Sequence, residues 1–102
     1  LFTQVAHPDT IKLFDIYPSY DLTPTYARLA ELAAEKDLYM EDNTGCHYRY
    51  HTADIGLSDA FLRVLLDHHV KIMTASDAHV PEHVGNYIPE ACEKIRQMEA
   101  QR

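Results

Sequence analysis

"VKIMTASDAH", residues 70 to 79, is the stretch on which the fold reading turns. Val70 to Ala75 is a mainly apolar run, long enough for a buried strand and too short for a helix. It stops at Ser76, after which an acid and a histidine, Asp77 and His79, stand two apart. Residues i and i+2 of a strand project to the same side, so a D-x-H pair at a strand end can aim two side chains into one cavity. Carboxylate oxygen and neutral imidazole suit zinc, manganese or iron better than calcium or magnesium. The plainer alternative is a polar strand end in which Asp77 caps the helical segment opened by Pro81-Glu82.

Two similar elements precede this one. Residues 1 to 6 read as a short strand closed by the turn His7-Pro8-Asp9. Leu38 to Met40 read as a strand that delivers Glu41, Asp42 and Asn43 at its C-terminal end. Between them, Ile11 to Phe14 is either one helical turn or an extended piece, and "YPSYDLTP" has loop composition. Thr23 is the expected N-cap of a helix with Pro24 at its first position, running to about Lys36 with Tyr26, Leu29, Ala30, Leu32 and Ala33 on its apolar stripe. Residues 45 to 57 read as a long polar loop. Ser58 is the expected cap of a second helix that buries Phe61, Leu62, Leu65 and Leu66. A last helical region opens at Pro81, is interrupted near Gly85 and Pro89, and runs from about Glu90 towards Gln101.

Strands alternating with helices predict an α/β fold with a parallel sheet. Three such strands cannot cover both faces alone, so the chain reads as half of a barrel or of a wound sheet. It also begins at Leu1 inside an apolar run, as a piece of something longer would. An open edge on the first strand would favour self-association.

Composition narrows the function. The 102 residues suffice for one small domain. Sixteen acids against nine bases give a formal charge of −7, which argues against a nucleic-acid surface, since phosphates need clustered Lys and Arg. No apolar run approaches the roughly 18 residues of a membrane span. Cys46 and Cys92 match no zinc spacing and no disulfide scaffold, which favours a reducing, cytoplasmic setting. Seven histidines is a high count for this length, and all but His7 gather between 47 and 83.

In parallel α/β folds, functional groups collect at the C-terminal ends of the strands. Three clusters fall there: His7 with Asp9, Glu41 with Asn43, and Asp77 with His79. For each taken singly the alternative is a solvated turn or a helix cap. Arg49, flanked by His47 and His51, offers the planar charged fork that binds phosphate, or else pairs with a surface carboxylate. His68 and His69 end a helix, where positive charge complements the dipole. The tyrosines at 17, 20, 48, 50 and 87 read as rim or core aromatics. Ser76 and Cys46 lack a base partner, so nucleophilic catalysis has no support.

"AHPDTIKLF", "YMEDNTG" and "TASDAHVPEHVG" together resemble the C-terminal half of the histidinol-phosphate phosphatases of the PHP (polymerase and histidinol phosphatase) superfamily. The resemblance covers about residues 3 to 88, and residues 1–102 would then be the C-terminal portion of a single domain. It implies a distorted (β/α)7 barrel with two or three divalent metal ions at the C-terminal ends of its strands. His7 resembles the family's third-motif ligand, and Asp77 and His79 its fourth-motif ligands. Arg49 resembles a residue that contacts the substrate phosphate. The implied chemistry is hydrolysis of a phosphate monoester in histidine biosynthesis, with Asp77 or His79 helping to protonate the leaving group. The family's first motif H-x-H, its second-motif histidine and its bridging glutamate are absent, so this chain alone is expected to be inactive. A relative acting on a nucleotide or other phosphoester, and a non-catalytic interaction module, are the competing readings.

Overall fold

The computed structural model describes residues 3–14 and 17–101. Its strands are β1 (Gln4–Val5), β2 (Tyr39–Asn43) and β3 (Ile72–Ala75), and its α-helices are α1 (Thr23–Glu35), α2 (Gly45–Tyr50), α3 (Asp59–Asp67) and α4 (Ile88–Ala100). Short 3-10 turns occupy Thr10–Lys12 and Pro81–His83. The strands form one parallel sheet in the order β1-β2-β3. Gln4 lies opposite Tyr39, and the second pair runs from Met40 opposite Ile72 to Asn43 opposite Ala75. The α/β class and the parallel strands expected from the sequence are therefore present.

The core lies between the sheet and the helices. Phe61, Leu62, Leu65 and Leu66 are all buried, as their spacing on α3 requires. They pack with Ala30 and Ala33 of α1, Met40 of β2, and Met98 of α4. Tyr26 stacks on Phe61 with ring centroids 4.3 Å apart. Each fully buried leucine here contributes roughly 2 kcal/mol of hydrophobic stabilisation. Ser58 caps α3 as expected, its hydroxyl accepting from the Phe61 amide.

Several local expectations are corrected. Thr23 is not the cap of α1 but its first residue; Asp21 Oδ1 accepts from both the Thr23 amide, at 2.9 Å, and the Thr23 hydroxyl, at 2.8 Å. The carboxylate reaches two donors where a threonine hydroxyl at the cap would reach one. Residues 45–50 are helical rather than loop, because Asn43 Oδ1 accepts from the Gly45 amide and starts a turn that His51 closes in the left-handed conformation. The strand expected over 38–40 runs on through Asn43, so Glu41, Asp42 and Asn43 lie inside it. All three are buried. The helical reading of Ile11–Phe14 is the right one, shifted to Thr10–Lys12. Helix α4 begins at Ile88 with Pro89 in its first turn, where a proline fits. The third strand starts at Ile72, not Val70. Of the first strand only Gln4–Val5 is formed, and residues 1 and 2 lie outside the described residues. No helix among the described residues is long and apolar enough to cross a membrane.

Candidate functional site

The three strands end side by side. Two positions beyond β1 and two beyond β3, a polar residue takes positive φ: His7 at 29° and Asp77 at 53°. Elsewhere Asp37, His51 and His69 take this conformation where helices end, a routine use of it. After a strand it is unusual, and a non-glycine residue held there costs about 1 kcal/mol or more. Both residues belong to the predicted metal-ligand set.

Glu41 and Asn43 point to the same side of β2, as alternation demands. The Glu41 carboxylate accepts from the His7 amide at 2.9 Å, Gln4 Nε2 at 3.2 Å, and Asn43 Nδ2 at 2.8 Å. Asn43 Nδ2 also donates to Asp77 Oδ2 at 3.1 Å, while its Oδ1 accepts from the Gly45 amide at 2.8 Å. Both of its amide hydrogens are thus used, and its oxygen is anchored by the Gly45 amide. A continuous chain of hydrogen bonds joins the end of β1 to the end of β3 through the middle strand.

Arg49, on α2, reaches the same place. Its Nη2 lies 3.3 Å from Asp77 Oδ2, and its Nη1 donates to the Asp77 carbonyl and, at 3.0 Å, to the Tyr48 hydroxyl. The Tyr48 hydroxyl in turn donates to the Ser76 carbonyl. Gly45 makes room for this reach: a Cβ there would stand 2.5 Å from Arg49 Nη2. Burial pushes the Asp77 carboxyl up, but the Asn43 hydrogen bond and the Arg49 guanidinium outweigh it and hold the group below its ordinary range. Arg49 therefore pairs with a carboxylate, and that carboxylate is Asp77.

The D-x-H geometry differs from the expectation. β3 ends at Ala75, and the positive φ of Asp77 takes it out of extended conformation, so the same-side argument does not apply. Asp77 and His79 are still neighbours. His79 Nδ1 lies 2.9 Å from the Asp77 carbonyl and 3.9 Å from Asp77 Oδ1, with the ring largely exposed. In the first cluster Asp9 accepts from Lys12 Nζ and from the Ser58 amide, each at 2.8 Å, while His7 Nδ1 lies on the Thr10 hydroxyl.

Lys12 escaped the sequence reading, which offers only an ordinary lysine in "TIKLF". It is 3% exposed, with its ammonium on Asp9, Asp54 and the Gly56 carbonyl. A small pocket beside it is lined by His7, Asp9, Glu41, Asn43 and Cys46 among others. Burial pushes the Cys46 thiol up, which disfavours the reactive thiolate. Burial also raises the Asp42 carboxyl, although the Leu57 amide donates to it at 2.7 Å. Asp42 is on the opposite side of β2 from Glu41, towards the helices.

The other histidines lie elsewhere. His47 Nδ1 is 2.7 Å from the Thr52 carbonyl, and the ring meets Tyr87 edge-on. His83 packs its ring against Tyr48, and its Nδ1 is buried with no hydrogen-bond partner among the described residues. His68 Nδ1 sits on the Val64 carbonyl at the end of α3, as a structural residue would.

The donor chemistry at the strand ends suits a divalent metal. A carbonyl only accepts, so His79 Nδ1 carries the proton and its Nε2 lone pair is left for a ligand. At His7 the Thr10 hydroxyl proton goes to the His7 carbonyl, so Nδ1, 2.9 Å from Thr10 Oγ1, donates and Nε2 is again the open nitrogen. Imidazole nitrogen and carboxylate oxygen are donor types that zinc, manganese or iron accepts. The count falls short, since no group of three or more His, Cys, Asp or Glu among the described residues is gathered closely enough to hold an ion. No protein-family model, curated protein or solved structure matches the chain.

Proposed function

We propose that this chain forms part of a PHP-type (β/α)7 barrel and takes part in metal-dependent hydrolysis of a phosphate monoester, with histidinol phosphate in histidine biosynthesis as the substrate. The observation that carries this reading is the hydrogen-bonded chain from the His7 amide through Glu41 and Asn43 to Asp77 and Arg49. It brings two candidate ligands and a phosphate-binding fork to one end of a parallel sheet. Zinc, manganese or iron held by His7, Asp77 and His79, with further ligands from outside this chain, would supply a polarised phosphate and a water acidic enough to yield hydroxide.

The remaining roles belong to the protein. Arg49 would keep Nη1 on the Asp77 carbonyl and turn Nη2 to a phosphate oxygen. His79, with one open nitrogen, serves either as a ligand or as the acid that protonates the leaving oxygen, and not as both at once. Asp77, held ionised by its neighbours, is the better ligand and the poorer acid.

A second reading is a non-catalytic interaction module. The shortfall in gathered donors favours it. Bound metal and phosphate release from histidinol phosphate decide between them, measured on this chain alone and on a protein that supplies the remaining strands. The enzyme reading expects activity only in the longer protein. An inactive, metal-free longer protein would sink it, activity of the chain alone would refute the shared metal shell, and preference for a nucleotide monophosphate would change the substrate.

A further inference from the structure

We infer that two copies of this chain associate along β3, its free side pairing antiparallel with the same strand of the second copy. The inference is independent of the proposed hydrolysis and needs no bound ion. The Lys71 carbonyl accepts from the Met40 amide and the Ala75 carbonyl from the Thr44 amide, each at 2.9 Å, so alternate residues of β3 face β2. The amides and carbonyls of Ile72 and Thr74 therefore face away from β2, and no strand among the described residues takes them. A sheet edge is ordinarily guarded by a charge, a proline or a bulge, and Ile72–Ala75 carries none of these. Met73 adds an apolar side chain that is 40% exposed. The first strand, where the open edge was expected, offers only Gln4 on its outer side among the described residues.

Charge and register single out a second copy as the occupant. The chain carries −7, yet between Asp67 and Asp77 it has no acid, two histidines and one lysine. Two copies therefore meet here with the least mutual repulsion. A two-fold axis at Met73 sets Ile72 of each copy opposite Thr74 of the other, and each such pair exchanges two backbone hydrogen bonds. That arrangement uses every outward amide and carbonyl of the strand. Met73 then meets Met73 of the second copy at a non-hydrogen-bonded position, with Cα atoms about 4.5 Å apart. Lys71, whose ion pair with Asp37 is exposed, lies towards the Asp77 end of the second copy. Parallel strands would instead set Lys71 against Lys71. The two-fold also consumes both β3 edges, so the assembly closes as a dimer.

Sedimentation equilibrium of the 102-residue chain tests this, with circular dichroism confirming that each variant is folded. An interface this small gives a weak dimer, so the mass is followed up to about 1 mM. Salt at about 0.15 M screens charges farther apart than about 8 Å. A rise from monomer to dimer mass, with no larger species, is expected. Thr74→Pro removes one outward donor from each copy and none from the ladder with β2, and should weaken dimerisation about thirty-fold. Met73→Lys, which sets like charges against each other on the axis, should do the same if the proline variant folds poorly. Val5→Lys, on β1, is expected to leave dimerisation unchanged. Met73→Cys, in a Cys46→Ser, Cys92→Ser background, is expected to form an intermolecular disulfide on oxidation, because the spacing at the axis suits one. A monomer at every concentration overturns the inference, as does a dimer that survives both β3 variants or is lost in Val5→Lys. Species larger than a dimer, or a β3-dependent dimer that does not cross-link through position 73, overturn the two-fold register.

Discussion

Replacing Lys12 with methionine is expected to be among the most damaging single changes in this chain. The side chain is 3% exposed and its ammonium makes three contacts: Asp9 at 2.8 Å, Asp54 at 3.0 Å and the Gly56 carbonyl at 2.6 Å. Asp54 is partly exposed and can turn to water. Asp9 is 8% exposed and cannot; without Lys12 it keeps, among the described residues, the Ser58 amide. Removing one partner of a buried pair leaves the other charge uncompensated, at a cost of about 3–5 kcal/mol. A small domain has roughly 5–15 kcal/mol in total, so Lys12→Met lies near the threshold of folding. Urea unfolding at neutral pH, followed by far-ultraviolet circular dichroism, measures the loss. In an Asp9→Asn background, where the Ser58 amide still finds an acceptor, the same substitution should cost only about 1 kcal/mol, in line with a neutral hydrogen bond. A loss below about 1 kcal/mol for Lys12→Met alone, or strict additivity in the double mutant, would refute the buried-charge argument.

Gly45→Ala sets two effects of opposite sign against each other. Alanine gains up to about 1 kcal/mol in helix propensity, while its Cβ would stand 2.5 Å from the end of a flexible arginine that can move aside and 2.9 Å from Asn43 Oδ1, which hydrogen bonds hold in place. Overpacking of this kind costs about 1–3 kcal/mol, so a net loss of up to about 2 kcal/mol is expected, together with loss of the Arg49–Asp77 contact, read as a changed Arg49 side-chain signal by NMR. Arg49→Met should raise the Asp77 titration towards its ordinary value of 3.8. A carboxyl held low in the folded state adds stability above 3.8 that disappears as pH falls through its folded value, so the variant's deficit should vanish in strong acid. Carbon-13 titration of the Asp77 carboxyl checks the first point and acid unfolding the second; a wild-type titration in Arg49→Met contradicts both.

Much of the scaffold was legible because it rests on local signals. The 61-62-65-66 spacing, the Ser58 cap and the short apolar runs each have one cheap structural solution, and the chain adopts it. The misplaced features depend on contacts between distant residues. Helix α2 starts from a side chain two residues back, in a segment that composition marks as loop. Lys12 is buried because Asp54 and Gly56, more than forty positions away, come to it. The D-x-H reading named residues that are neighbours, but for a reason that failed, since alternation ends where β3 ends. Asn43 was visible as one of a pair. Its bond to Asp77, 34 positions away, follows only from the parallel register.

Among the described residues, strand β1 has two residues and pairs only with β2. So short an element adds little burial, and local opening of such a segment needs far less free energy than global unfolding. When it opens, His7 leaves and the helical core stays. Amide exchange at Val5 should therefore run well ahead of exchange at Leu65. The docked arrangement of His7 is then one member of an ensemble, and any function that needs His7 beside Glu41 is scaled by the fraction of molecules in which this segment is docked. An added strand alongside β1 would raise that fraction without changing His7 or Glu41 themselves.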